Sequence, residues 1–193
     1  MTSSSAVDYQ GLAREHARVV VQFFEHYDAQ MQALTTSVSA MFAEGGCLLF
    51  CGNGGSACDA MHIAGEFVGR FKRERRGLPA LALSADSGVI TAIANDYDFS
   101  RIFARQVEAL GKKGDMLVAL STSGRSPNIL AALEEARANG LTTVLFTGSK
   151  GADKAALVDI CFVIDSEDTA RIQECTMVAL HALAEGVERS LSA

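Results

Sequence analysis

Five consecutive residues, Cys47-Leu48-Leu49-Phe50-Cys51, form an apolar run too short for a buried helix and of the right length for a buried strand. They lead straight into Gly52-Asn53-Gly54-Gly55-Ser56, after which the pattern turns helical as far as Phe67. Glycines in such a turn let backbone amides approach a ligand at the positive end of the following helix. The helix also carries His62 and Glu66 at i and i+4, so both side chains project from one face. A strand, a glycine turn and a helix bearing an imidazole beside a carboxylate describe the active-site edge of an α/β protein.

The remaining sequence repeats the alternation. Short apolar runs at 80–84, 116–120, 144–146 and 160–164 alternate with helical stretches at 88–94, 99–110, 128–139, 154–158 and 168–191. Five strands buried on both faces predict a parallel sheet in a three-layer α/β sandwich with right-handed crossovers. Ahead of the first strand, residues 8–44 read as helix broken once, with a stripe from Leu12 through Val20, Phe24, Met31 and Val38 to Phe42. That stripe exceeds what one sheet face needs, so it is expected to serve both internal packing and an oligomer interface. His16 and His26 are expected to face solvent. The charge run Lys72–Arg76 reads as a solvated loop, and Arg70, i+4 from Glu66, as within reach of that carboxylate or an anion beside it. Without internal repeats or linkers, residues 1–193 read as one domain, with 1–45 as an N-terminal helical extension packing in the oligomer.

Bulk properties exclude several function classes. A formal net charge of -6 argues against a broad electrostatic grip on nucleic acid. No apolar run reaches the length of a membrane span, and the N-terminus lacks the basic and apolar regions of a signal peptide. The five cysteines are an odd set without Cys-x-x-Cys spacing, which favours reduced thiols and a cytoplasmic protein.

Ligands of open α/β sheets bind outside the carboxyl ends of the strands. Besides the glycine turn, one other loop at such an end has unusual composition: Ser121-Thr122-Ser123-Gly124-Arg125-Ser126, opening a helix. Its hydroxyls and amides suit a phosphate, although a Ser/Thr-rich turn with a helix cap reads the same way from spacing alone. It is no Walker loop, and the glycine turn is no dinucleotide fingerprint. His62, Glu66 and His181 are the candidates for acid–base or metal chemistry. His181 sits in a mostly apolar helix, where a core histidine is the plainer reading, and two ligands on one helix do not make a metal site. Gln173 and His181, eight residues apart, are separated by roughly 12 Å along a straight helix. One ion or substrate atom touched by both therefore calls for a helix contributed by a second subunit, or for a bend.

Taken together, Cys-Gly-Asn-Gly-Gly-Ser-x-Cys-Asp-Ala-Met-His at 51–62, Glu66, Gly69-Arg70, Asn95-Asp96, the serine loop at 121–126, and Ala-Arg-Ile-Gln-Glu at 170–174 leading to His181 resemble the sugar isomerase (SIS) family. Within it they are most similar to the sedoheptulose 7-phosphate (phosphoheptose) isomerases, along essentially the whole chain. The resemblance implies an aldose–ketose isomerase that makes D-glycero-D-manno-heptose 7-phosphate through an enediol, for lipopolysaccharide or capsule heptose. It implies substrate contacts at Asn53, Gly54, Gly55, Glu66, Asn95, Asp96 and Gln173, with phosphate held by Ser121, Thr122, Ser123 and Ser126. Glu66 and His181 would be the proton-transfer pair, and zinc would sit on His62, Glu66, Gln173 and His181. A homotetramer with shared sites is implied as well. Two positions depart from the pattern: Arg125 replaces a smaller polar residue, and Thr176 stands where many relatives have histidine.

Three other readings compete. A non-enzymatic SIS tetramer that binds a replication initiator would lack the titratable Glu66 and His181. Another phosphosugar isomerase would share the serine loop, and a sugar-phosphate-binding regulatory domain would need no Glu/His pair.

Overall fold

The computed structural model describes residues 6–191; the stretch 1–5, part of the N-terminus compared with a signal peptide above, lies outside the described residues. Helix α1 (Tyr9–Ala43) is followed by β1 (Leu48–Gly52), α2 (Gly55–Val68), β2 (Ala80–Ala82), α3 (Ser87–Asp96) and α4 (Ala104–Leu110). Then come β3 (Met116–Leu120), α5 (Pro127–Ala138), β4 (Thr142–Gly148), β5 (Ile160–Ile164) and α6 (Thr169–Ser190). The five strands form one parallel sheet in the order β2-β1-β3-β4-β5. Alternate strand residues feed the two faces: Leu48 and Phe50 pack with α1, α2 and α6, whereas Leu49 and Cys51 pack with α3, α4 and α5. The expected three-layer α/β sandwich is present. Its strand order reverses between β1 and β3, so the loops leaving those two strands diverge and open a crevice.

Three expectations about helices change. The N-terminal helix is unbroken over its 35 residues. The hydroxyls of Thr35, Thr36, Ser37 and Ser39, which compete with helix elsewhere, each donate back to the carbonyl four residues earlier and so leave the ladder intact. Residues 99–110 open as a 3-10 turn at Phe99–Arg101, where the Asp98 carboxylate accepts from the Ser100 amide, before α4 begins. The stretch before β5 is a 3-10 segment, Ser149–Leu157. All five cysteines are free thiols, with Cys51 and Cys175 buried and their thiols pushed up to about 12 by desolvation. No helix among the described residues is long and apolar enough to cross a membrane.

Helix α1 also closes the sheet edge at β5. Its Tyr27 hydroxyl accepts from the Val163 amide at 3.2 Å, and Gln30 Nε2 donates to the Cys161 carbonyl at 3.2 Å. Edge groups left open would template another strand. His26 is exposed as expected, whereas His16 is half-buried with Nδ1 at 2.8 Å from the Glu174 carboxylate. A helix partner across the fold, invisible in local sequence, turns His16 inward.

The segment after α2 departs most from expectation. Arg75 is not solvated: its guanidinium donates to the carbonyls of Glu66, Phe67, Gly69 and Arg76 and to the carboxylate of Glu188, at 3.0 Å. Glu188, on α6, is only 2% exposed and also accepts from the backbone amides of Phe71, Lys72 and Arg73. One arginine thus caps the end of α2, where carbonyls lack helical partners, and one carboxylate pins the following loop to α6. Arg70 turns away from Glu66 and lies 3.7 Å from Glu74. Burial works against the charge on Glu188, but the three amides and Arg75 outweigh it and hold its pKa below the usual glutamate value. Glu188→Gln leaves a buried guanidinium uncompensated and is expected to lose about 3 kcal/mol in urea unfolding at pH 7. A depressed folded-state pKa stabilises fully above the unfolded value near 4.3 and loses that contribution as pH falls below it and through the lower folded-state pKa. The difference from wild type should therefore shrink below about pH 4.

Candidate active site

Gly52 ends β1 at the crevice, and a Cβ there would collide with the Ser56 backbone, so the turn closes tightly enough to start α2 only three residues later. Gly54 takes φ +58, a conformation that disfavours side chains. At Gly55 an added Cβ would lie 2.5 Å from Gln173 Nε2, the tip of a flexible side chain that could shift to make room. Gln173 Nε2 donates to Ser56 Oγ at 3.3 Å.

Across the crevice, the loop from β3 to α5 turns at Gly124, whose φ is +64 and whose Cα abuts Gly151. The two loops are locked together by a reciprocal amide pair. Asn53 Nδ2 donates to Asn128 Oδ1 at 2.9 Å, and Asn128 Nδ2 donates to Asn53 Oδ1 at 2.8 Å. Between them lies a cleft of about 200 Å³ lined by Asn53, Gly55, Ser56, Ser121, Thr122, Ser126, Thr169 and Gln173. Three helices begin at this cleft: α2 at Gly55, α5 just after Ser126, and α6 at Thr169. Their positive ends converge on one small volume, an arrangement suited to an anion. Ser121 Oγ, on a residue 6% exposed, has no hydrogen-bond partner among the described residues. A buried hydroxyl without a partner is costly unless a ligand or water supplies one.

Two turns further along the same pair of helices, His62, Glu66 and His181 meet within one chain. His62 Nε2 lies 2.9 Å from His181 Nε2 and 3.5 Å from Glu66 Oε1, and donor atoms from the three residues all lie within 4.8 Å of one another. Tetrahedral zinc with ligand bonds of roughly 2.0 Å separates its donors by roughly 3.3 Å, so two imidazoles and a carboxylate at this spacing fit such an ion with small adjustment. Burial is the main cause holding His181 below the usual histidine pKa, aided by His62 and Lys72 and opposed by Glu66. The imidazole is thus biased to its neutral form, the state needed of a base or a ligand. Phe71 stacks on His181 with centroids 5.3 Å apart and planes 10° from parallel.

The remaining expected residues fall into place unevenly. Helix α6 is continuous from Thr169 to Ser190, so within one chain Gln173 stays at the cleft, away from the histidine pair. Gly54 lines a wider groove of about 580 Å³ that shares Asn53 and Ser126 with the cleft. Ser123 Oγ accepts from the Arg125 amide, while Arg125 itself is exposed and donates to the Lys150 carbonyl. Asn95 and Asp96 are exposed at the end of α3, bonded to each other at 2.9 Å, and line neither cavity. A larger open groove of about 650 Å³ between α1 and β5 lies apart from these residues.

Sequence reasoning did not single out Asn128, Phe71 or Asp59. Asn128 is hidden among ordinary first-turn residues, and Phe71 opens what reads as a charge run. Asp59 lies within the motif at 51–62; its Oδ2 is buried with no hydrogen-bond partner among the described residues, and desolvation raises its pKa against a smaller opposing effect from His62.

With this geometry in place, comparison with known proteins is decisive. The SIS-domain sequence profile matches residues 13–148. A phosphoheptose isomerase from Roseiflexus is 54% identical over 159 residues, spanning 82% of this chain and 81% of that protein. The chain belongs to the SIS-domain family, among its phosphoheptose isomerases. The structure of a phosphoheptose isomerase from Francisella tularensis superposes with a TM-score of 0.90 at 32% identity, covering 98% of this chain and 100% of that one. Phosphoheptose isomerase GmhA from Neisseria gonorrhoeae superposes with a TM-score of 0.86 at 33% identity, covering 93% and 96% of the two chains. Membership makes the chain a phosphosugar isomerase by class.

Loss of the amide pair should loosen the cleft without touching the histidines. Asn128→Ala is expected to weaken inorganic phosphate binding about 10-fold, read by calorimetry, because it leaves Asn53 unpaired and frees one wall.

Proposed function

We propose that this isomerase converts sedoheptulose 7-phosphate to D-glycero-D-manno-heptose 7-phosphate through an enediol, supplying heptose for lipopolysaccharide or capsule. The observation that carries the reading is the separation between the anion cleft and the acid–base cluster. Gln173 at the cleft and His181 at the cluster are eight residues apart on one helix, roughly 12 Å. An extended chain gains roughly 1.2 Å per bond, so phosphorus and C1 of a seven-carbon 7-phosphate lie roughly 10 Å apart, against roughly 7 Å for a pentose 5-phosphate. A heptose at roughly 10 Å comes close to spanning that distance, and a pentose at roughly 7 Å falls well short.

In this reading the phosphate is gripped by the amides at the three helix starts and by Ser121, Thr122, Ser123 and Ser126. Asn53, Gly54, Gly55, Gln173, Asn95 and Asp96 border the sugar. Asn95 and Asp96 would reach it from a neighbouring subunit or after movement of α3. The Glu66 carboxylate removes a proton from C1 of the ketose as the C2 carbonyl becomes an enol. Neutral His181 moves a proton between the O1 and O2 atoms, and return of a proton to C2 completes the aldose. One base and one acid of near-neutral pKa suffice for such a transfer.

His62, Glu66 and His181 are the residues that would hold zinc, with Gln173 of a neighbouring subunit as a fourth donor; such an ion polarises the carbonyl oxygen and favours the enediolate. A Glu66 carboxylate bound tightly to it would be a weaker base, so the role of the ion depends on whether Glu66 stays coordinated. The chain is proposed to act in the cytoplasm as a homotetramer. Exposed Tyr9, Leu12 and Val21 on α1 support the assembly, since they leave apolar area on the outer helix.

The direct test follows aldose formation from sedoheptulose 7-phosphate by NMR, with chelator and with added zinc; absence of turnover in every condition refutes the reaction. Glu66→Gln should lower kcat at least 100-fold with KM little changed, because the amide cannot accept the carbon proton. Ser121→Ala should instead raise KM several-fold at nearly constant kcat, having removed binding that is shared by ground and transition states.

A further inference from the structure

Catalytic and metal-binding histidines are usually oriented by a carboxylate or carbonyl that accepts from the second ring nitrogen. Among the described residues, no such bond is made by Nδ1 of His62 or His181; the hydrogen bond of both rings is the one between their Nε2 atoms. Another interaction must therefore fix the plane of His181. Its imidazole is flanked by two rings: His62 meets it edge-on, with centroids 5.1 Å apart and planes at 84°, and Phe71 lies nearly parallel at 5.3 Å.

Phe71 is itself held by α6. Its backbone amide, with those of Lys72 and Arg73, donates to the buried carboxylate of Glu188, while Lys72 Nζ bonds Glu185 at 2.6 Å and lies 5.2 Å from the Phe71 centroid. His181, Glu185 and Glu188 stand at i, i+4 and i+7 on one helical face. The loop therefore grips the helix that carries the histidine, at points one and two turns beyond it. Displacement of α6 carries Phe71 along, and the stack stays in register. The same grip on Arg75 ties the end of α2, where Glu66 and Phe67 offer their carbonyls, to the same helix.

We propose that Phe71, clamped by Glu188, is a positioning residue that sets the plane of His181 so that Nε2 faces His62 and Glu66. A flat ring packed on a flat ring restricts rotation about the last side-chain bond, which for histidine is otherwise broad. A branched aliphatic side chain fills the same space without that restriction. The proposal rests on the acid–base reading of His181 for its kinetic consequence, but the orientation itself exists without substrate or metal.

The test uses full-length Phe71→Leu, Phe71→Tyr and Glu188→Gln proteins, with the four histidine ring resonances assigned by NMR through substitution. In Phe71→Leu the His181 Cε1 proton should move downfield as the neighbouring ring current is lost. Glu188→Gln should move it in the same direction although Glu188 touches neither ring. Phe71→Leu should also lower kcat about 10-fold with KM within about 2-fold, and weaken zinc binding about 10-fold in a chelator competition, the size expected for an orienting group. Phe71→Tyr should restore all three. An unmoved resonance in Phe71→Leu overturns the proposal. So does unchanged kcat and zinc affinity, or a loss of activity that follows loss of folded protein. If wild type fails to turn over the heptose, the proposed reaction falls, and the resonance and zinc measurements still decide this inference.

Discussion

Close approach of α2 to α6 is the constraint on which the site depends. At one end the Gln173 side chain of α6 lies against Gly55 and bonds Ser56 of α2. At the other end Arg75 and Glu188 enforce it, joining the carbonyl terminus of α2 to the last turns of α6 through a buried ion pair. Between those points the two helices lie side by side, and whatever they display is ordered along a shared axis. The small cleft falls at their amino ends, and the His62/Glu66/His181 cluster falls two turns later.

That ordering explains why the chemistry divides as it does. Helix amino ends supply partial positive charge and unpaired amides, which suit a phosphate but offer no group able to exchange a proton. Side chains further along the helices supply imidazole and carboxylate, whose protonation can change. A phosphosugar has the same polarity, with a fixed anion at one end and a reactive carbonyl at the other. Replacing such a buried ion pair by apolar groups is often harmless to stability, whereas the three amides that Glu188 gathers give the loop one position.

Much of the fold was legible in local pattern. Strand β3 was readable to the residue, because a fully buried parallel strand is an uninterrupted apolar run bounded by polar turns; β5, an edge strand buried only at Phe162 and Ile164, was readable from the same apolar run. The glycine turn and the serine loop were legible as loops of the sheet's carboxyl edge, because their composition is unsuited to a core, and the structure brings them together around one cleft. Helix α1 was misread as broken, since hydroxyl residues that disfavour helix in isolation can satisfy themselves within it once tertiary packing holds the backbone. In the charge run at 72–76, Lys72, Arg73, Glu74 and Arg76 are exposed as read, but Arg75 was misread. Whether an arginine is solvated depends on what lies opposite, and the partner of Arg75 is 113 residues away in sequence.

Periodicity, turn chemistry and the i, i+4 placement of His62 and Glu66 were therefore settled along the chain, where each residue answers to neighbours within a turn or two. Pairings across the chain were not. That His181 meets His62, that Asn53 pairs with Asn128, that Ser121 is buried without a partner among the described residues and that Phe71 lies flat on an imidazole all follow from how α2, α5 and α6 are set over the sheet. Packing decides those contacts because each joins segments whose separation in sequence carries no information about their distance in space.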